Sequence, residues 1–163
     1  MTSPLQGATL AALALLIGMP GCSPGQRNAP NPVAGWLAEG KRVAAETHQV
    51  ELFLDSRDAD TLGGIVTRVN ERNAQSPLQP AELRAEVCRW GAVCGQVVAS
   101  LFGGRWGEAK ERNLRYGYSI WVPVSGGGWY EKDCFDVVEY LITSPQEEIG
   151  ASIQQHLLLR FLH

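Results

Sequence analysis

Pro80-Ala-Glu-Leu-Arg-Ala-Glu-Val-Cys-Arg-Trp-Gly-Ala-Val-Cys-Gly-Gln-Val-Val-Ala-Ser-Leu-Phe102 decides the fold. Leu83, Val87, Trp90, Cys94, Val97, Val98 and Leu101 recur at helical spacing over about five turns of 3.6 residues. Pro80 suits a first helical turn, Glu82 suits the positive end of the helix dipole, and Gly103-Gly104 supplies a stop. One long helix over 80–102 is expected, straight or bent at Gly91. A helix of that length with an apolar stripe needs partners along its whole side. The chain therefore reads as mainly α, a small helical bundle with at most a short β segment or hairpin. An α+β arrangement is the alternative.

Downstream, Tyr116, Tyr118, Ile120, Val122 and Val124 (with Leu114 before them) alternate with Arg115, Gly117, Ser119, Trp121 and Pro123, which is strand period. Ser125-Gly-Gly-Gly128 is a flexible turn. The segment after it does not continue the alternation. Tyr130, Cys134, Val137, Val138 and Leu141 fall instead on one helical face, so 129–143 reads as helix. Ser144-Pro-Gln-Glu147 is a capping box with proline in its first turn, and it opens a last helix whose stripe is Ile149, Ile153, Leu157 and Phe161. Upstream, 35–46 reads as a short helix carrying Trp36, Leu37, Val43 and Ala44. His48 to Asp55 is compatible with a strand or with a helical extension. Asp58 or Asp60 can cap a helix to about residue 72, on which Leu62, Ile65, Val66 and Val69 share one stripe. Asn73–Gln79 reads as a loop.

The N-terminus has a different composition. Residues 1–21 contain no Asp, Glu, Lys or Arg, and Leu10–Ile17 is an unbroken apolar run. That run is short of the ~20 apolar residues a spanning helix needs, and it leads into Gly18-Met-Pro-Gly-Cys22, the pattern of a removed export signal. The segment resembles a bacterial lipoprotein signal, with Gly21 before the cleaved bond and Cys22 as the lipid-bearing residue. Met19 and Pro20 replace the usual Leu and Ala/Ser, and no cation precedes the apolar run. A plain secretory signal cut elsewhere is the other reading. Residues 1–21 are thus read as signal peptide, 22–34 as a Pro/Asn/Gly-rich lipidated tether, and 35–163 as a single globular domain. Ser23 after the lipid position implies, by the same resemblance, the outer membrane and a periplasmic address.

An oxidising compartment makes Cys88, Cys94 and Cys134 candidates for disulfides, with one thiol left over. If Cys88 and Cys94 share a helix, six residues set them ~120° apart around its axis, where they cannot bridge. The expected bond is then Cys94–Cys134, both on apolar faces.

The excess of 17 acidic over 14 basic residues argues against nucleic acid, whose phosphates need a basic face. No H-E-x-x-H, G-x-S-x-G or Cys-x-x-Cys occurs. Asp55-Ser-Arg-Asp58-Ala-Asp60 lacks calcium-loop spacing. Gly103-Gly-Arg-Trp-Gly107 lacks the Lys-Ser/Thr of a phosphate loop. A Cys94/His156 nucleophile–base pair is conceivable, but a disulfide or a buried thiol accounts for Cys94 better. No enzyme, metal or cofactor is expected. The aromatic residues are the positive signal. Trp106, Tyr116, Tyr118, Trp121, Trp129 and Tyr130 flank the glycine turn, and Trp and Tyr anchor interfaces because they bury large area at low entropic cost.

From Trp121 onward, Pro123, the glycine turn, Asp136-Val-Val-Glu-Tyr140-Leu141, Pro145-Gln-Glu147-Glu148, Ala151 and an aliphatic helix ending at Phe161 form a pattern. It resembles the C-terminal half of the Rap/Tai-type immunity proteins, periplasmic inhibitors of peptidoglycan amidases delivered by type VI secretion. Trp121 stands where that family has the Cys of Cys-x-Pro, no cysteine follows Phe161, and Cys134 is an addition, so the family's disulfides do not carry over. The resemblance implies a protein partner, a peptidoglycan amidase effector, occluded by a loop. The residues expected to make that contact are Trp121, Pro123, Gly127, Trp129 and Tyr130. A secretion-system pilotin or another envelope assembly lipoprotein is the second reading, and a homodimer is open in either case.

Overall fold

The structure, a computed structural model, describes residues 31–110 and 115–145. The signal segment, Cys22, most of the tether and the final helix expected after Ser144 lie outside the described residues. Four helices and a three-stranded antiparallel sheet make a mainly α fold. They follow in the order α1 (Val33–His48), a 3-10 turn (Ser56–Asp58), α2 (Ala59–Gln75), α3 (Pro80–Phe102), β1 (Arg105–Glu108), β2 (Tyr118–Pro123), β3 (Trp129–Lys132) and α4 (Cys134–Thr143). Among the described residues no helix is long and apolar enough to cross a membrane.

The long helix runs as expected, and α3 is the central post of the molecule. Gln79 and Glu82 form its capping box, the Gln79 N–H donating to the Glu82 carboxylate at 2.9 Å, and Gly103 ends it in the left-handed conformation at φ 65°. The helices α1, α2 and α4 and the sheet all pack on it. Val87, Trp90, Ala92 and Val93 are fully buried there. Gly91 serves packing: a Cβ at this position would lie 2.4 Å from the ring of Phe135. Phe135 is the first ring of α4 to enter the core, stacked on Tyr116 with centroids 4.9 Å apart and meeting Trp36 of α1 edge-on at 5.4 Å.

Three sequence expectations change. Residues 49–55 form no strand. Gln49 and Leu54 both adopt positive φ (56° and 63°), which turns the chain twice and plugs Leu52 into the core between the turns. Helix α2 begins after Asp58, but that side chain does not cap it. Asp58 is buried and accepts the Leu54 N–H at 2.6 Å, tying the loop to the helix start. Residues 129–132 are strand rather than the start of a helix. The helix begins at Cys134, where Asp133 accepts the N–H groups of Phe135 and Asp136. At its other end α4 is closed from α2: Asn70, buried, donates through its amide to the carbonyls of Leu141, Ile142 and Ser144 at 2.8–3.1 Å.

A polar junction joins α1, α2 and α3. Glu86 accepts from Arg72 at 2.6 Å and from Arg89 and the Trp90 indole N–H at 2.7 Å, and Arg89 reaches Glu39 at 3.5 Å. His48 meets Trp90 edge-on and its Nδ1 accepts from Arg68 Nε at 3.2 Å. Burial first, then the Arg68 cation, hold this imidazole below its ordinary 6.5; Arg72 and Arg89 act in the same direction and Glu86 against it. The unfolded chain therefore takes up the His48 proton before the folded one, so this residue's contribution to stability is present above pH ~6.5 and is lost as the pH falls below it. Asp133, pushed up to about 6 chiefly by burial, titrates in the opposite sense. Thermal unfolding of the wild type and of His48→Gln between pH 7.5 and 5 is expected to show the smaller acid loss in the variant. Equal losses would mean that His48 is protonated alike in both states.

Candidate functional site

Strand β2 lies between β1 and β3, pairing Arg105 with Trp121, Trp106 with Ile120, Val122 with Tyr130 and Pro123 with Trp129. The period of two sends Trp106, Ile120 and Val122 toward α3. Gly95 and Gly104 permit that approach: a Cβ on Gly95 would lie 2.4 Å from the Trp106 ring, and one on Gly104 would lie 3.0 Å from Ile120. Trp106 is further fixed by its indole N–H, which donates to Gln96 at 3.1 Å. The sheet is thus bolted flat onto the central helix.

Arg105, Gly107, Ser119, Trp121, Pro123, Trp129 and Glu131 share the opposite face. The Trp121 indole lies across Gly107, where a Cβ would stand 2.6 Å from its Cδ1. Buried Ser119 donates to Glu131 at 2.5 Å, and the same carboxylate oxygen accepts the Lys110 N–H at 3.0 Å. Between β2 and β3 the chain turns through Gly126, Gly127 and Gly128 at φ 100°, 90° and 110°, values at which a side chain is strained. The turn is closed by Val124 N–H to Gly128 O at 3.3 Å and by Gly127 N–H to Val124 O at 3.2 Å.

All five residues expected to make the partner contact meet in this hairpin. Trp129 and Tyr130 are 45 % and 53 % exposed, and Pro123 and Gly127 are exposed at the tip. Trp121 is half-buried beneath Lys110, whose ammonium lies 4.6 Å from the ring centroid. Trp121, Pro123 and Trp129 look outward together, while Tyr130 belongs to the other face. Sequence reasoning missed Val124, 44 % exposed at the same tip, and the cations. Arg105 lies 4.3 Å over Trp129 and Lys132 lies 4.6 Å over Tyr130, so with Lys110 each of three hairpin rings carries a cation. The strand pairing that brings Arg105 to this face spans a segment the sequence does not visibly pair.

The cysteines depart from expectation. Cys88 and Cys94 do share one continuous helix, as the expected pairing supposed. Cys94 and Cys134 do come together on the facing sides of α3 and α4, but as free thiols: both are buried, and burial first, then the neighbouring Cys94 thiol, push the Cys134 thiol up. The expected Cys94–Cys134 bond is therefore not formed in this structure. His156, the other half of the conceivable nucleophile pair, lies outside the described residues. Among the described residues no three His, Cys, Asp or Glu side chains cluster as a metal site would require. No known family, no curated protein and no solved structure matches the chain.

Proposed function

We infer that the chain is a non-enzymatic periplasmic binding protein of the immunity type. A lipid on Cys22 holds it to the outer membrane, and it inhibits a peptidoglycan amidase by laying hairpin 123–130 into the enzyme's groove. The observation that supports this reading best is the tip itself: Val124, Trp129 and Tyr130 are exposed together at the end of a hairpin whose first strand, β2, is packed on α3. Aromatic rings carried on paired strands lose less entropy on entering a cleft than rings on an unpaired loop. The residue pattern from Trp121 to Phe161 that resembles the Rap/Tai-type proteins supplies the class of partner.

Cleavage of isolated sacculi by a purified peptidoglycan amidase of the type VI-delivered class tests the reading. The wild-type protein is expected to inhibit. Trp129→Ala is expected to weaken inhibition about thirtyfold, which corresponds to the ~2 kcal/mol typical of a truncated interface tryptophan. Its unfolding temperature should barely move, because nearly half of the ring is in solvent. Full inhibition by Trp129→Ala would move the contact off the hairpin. No inhibition by the wild type would overturn the function and favour an assembly role.

A further inference from the structure

We propose that Cys94 and Cys134 are a disulfide-forming site whose oxidation closes the loop carrying the whole sheet and so locks the aromatic hairpin onto α3. The two thiols are 2 % and 1 % exposed, and they flank the place where α3 and α4 touch, Cys94 one turn along α3 from Gly91 and Cys134 next to the Phe135 that Gly91 admits. Their places in the chain give the bond its effect. Cys94 lies at mid-length in the central helix, beside the two glycines that admit Phe135 and Trp106. Cys134 is the first residue of α4, two positions after the last residue of β3. Between them lie the last turns of α3 and then all three strands, β1, β2 and β3. A bond here leaves the helices where they are and fastens the returning foot of the hairpin to the post it leans on. This inference does not depend on the identity of the partner.

The co-reactant is a disulfide donor, either a low-molecular-weight disulfide such as oxidised glutathione or a disulfide-bearing oxidoreductase. One cysteine loses its proton and its thiolate attacks a sulfur of the donor. The donor S–S bond breaks, one donor thiolate leaves, and a mixed disulfide remains. The second cysteine loses its proton, attacks the protein sulfur of that mixed disulfide and expels the other donor thiolate. The two donor thiolates take up the two protons. Two protein thiols are oxidised and one donor disulfide is reduced to two thiols. Burial makes the pair inert in the closed protein. The exchange therefore proceeds in the folding chain, or when the first turn of α4 opens.

Trypsin separates the relevant cysteines, because Arg89 divides Cys88 from Cys94 and Lys132 precedes the segment with Cys134. Full-length protein refolded with oxidised glutathione and digested without reduction is expected to yield the peptide beginning at Trp90 joined to the one beginning at Asp133. The Cys94–Cys134 bond is expected to raise the unfolding temperature by on the order of 10 °C relative to Cys94→Ala and Cys134→Ala treated alike. Amide exchange across 118–132 is expected to slow at least tenfold on oxidation in the wild type and not in either variant. If the Trp90–Arg105 peptide and the peptide beginning at Asp133 both stay reduced, the site is overturned. If the cross-link forms but exchange in the hairpin is unchanged, the locking role is overturned.

Discussion

Replacing Glu86 by alanine is expected to cost about 3–5 kcal/mol of folding free energy. Glu86 is 8 % exposed, and its two oxygens serve three donors, Arg72, Arg89 and the Trp90 indole. Removing the carboxylate leaves the indole N–H of a fully buried tryptophan without an acceptor. It also leaves Arg89 with a single long contact to Glu39, and the Nε of Arg89 already lacks a partner. The cost is thus that of orphaned buried donors and of a charge stripped of its counterion. Glu86→Gln keeps an acceptor for the indole and should lose less than the alanine variant. Urea denaturation of both variants checks this; an alanine variant within 1 kcal/mol of wild type would mean that water fills the junction.

The second large effect is expected at Gly91. Alanine in a helix interior gains about 1 kcal/mol over glycine, so propensity alone predicts a more stable protein. Packing predicts the reverse. The added Cβ would sit 2.4 Å from Phe135 Cδ1 and 3.0 Å from the Phe135 Cα, so rotating the ring does not clear it and α4 must move. Phe135 is fully buried among Trp36, Tyr116 and Trp106, which leaves the ring no room. Overpacking against backbone belongs at the upper end of the usual range, about 3 kcal/mol, leaving Gly91→Ala about 2 kcal/mol less stable. Gly91→Leu should not fold. The sign is the test: a stabilised alanine variant would mean that α3 and α4 are not in contact at this point.

Gly91 also marks what the sequence discloses and what it hides. The helix around it is legible because its stripe, its proline start and its glycine stop agree. The reason for Gly91 is not legible, because the atom that demands it belongs to a helix more than forty residues away. Strand β2 was visible through its alternation. Strand β3 was not: Trp-Tyr-Glu-Lys is short and half in solvent on both faces, so it shows no contrast between a buried side and an open one, and its rings blend into the helical spacing of α4. Residues 50, 52 and 54 alternate as a strand would, yet positive φ at Gln49 and Leu54 decides otherwise, and neither residue type announces that conformation. The aromatic tip was legible from the glycine run beside Trp129. Its cations were not, since Arg105 and Lys110 reach the rings only through strand pairing. Glu86 carried a readable signal in Trp90 four residues on, the spacing at which an acid can reach an indole along one helical face.

The three glycines at the hairpin tip have a consequence for chemical mimicry. At φ 90–110° they occupy backbone geometry that is the mirror image of ordinary residues' territory, and among the encoded amino acids glycine alone enters it without strain. Genetic variation can therefore alter the flanks of this turn but cannot stiffen its apex. Synthesis can, because D-alanine is at home where L-alanine is strained. A peptide copied from residues 118–132 with D-residues at the apex would hold the two strands apart at their native spacing and present Trp129 without the rest of the protein.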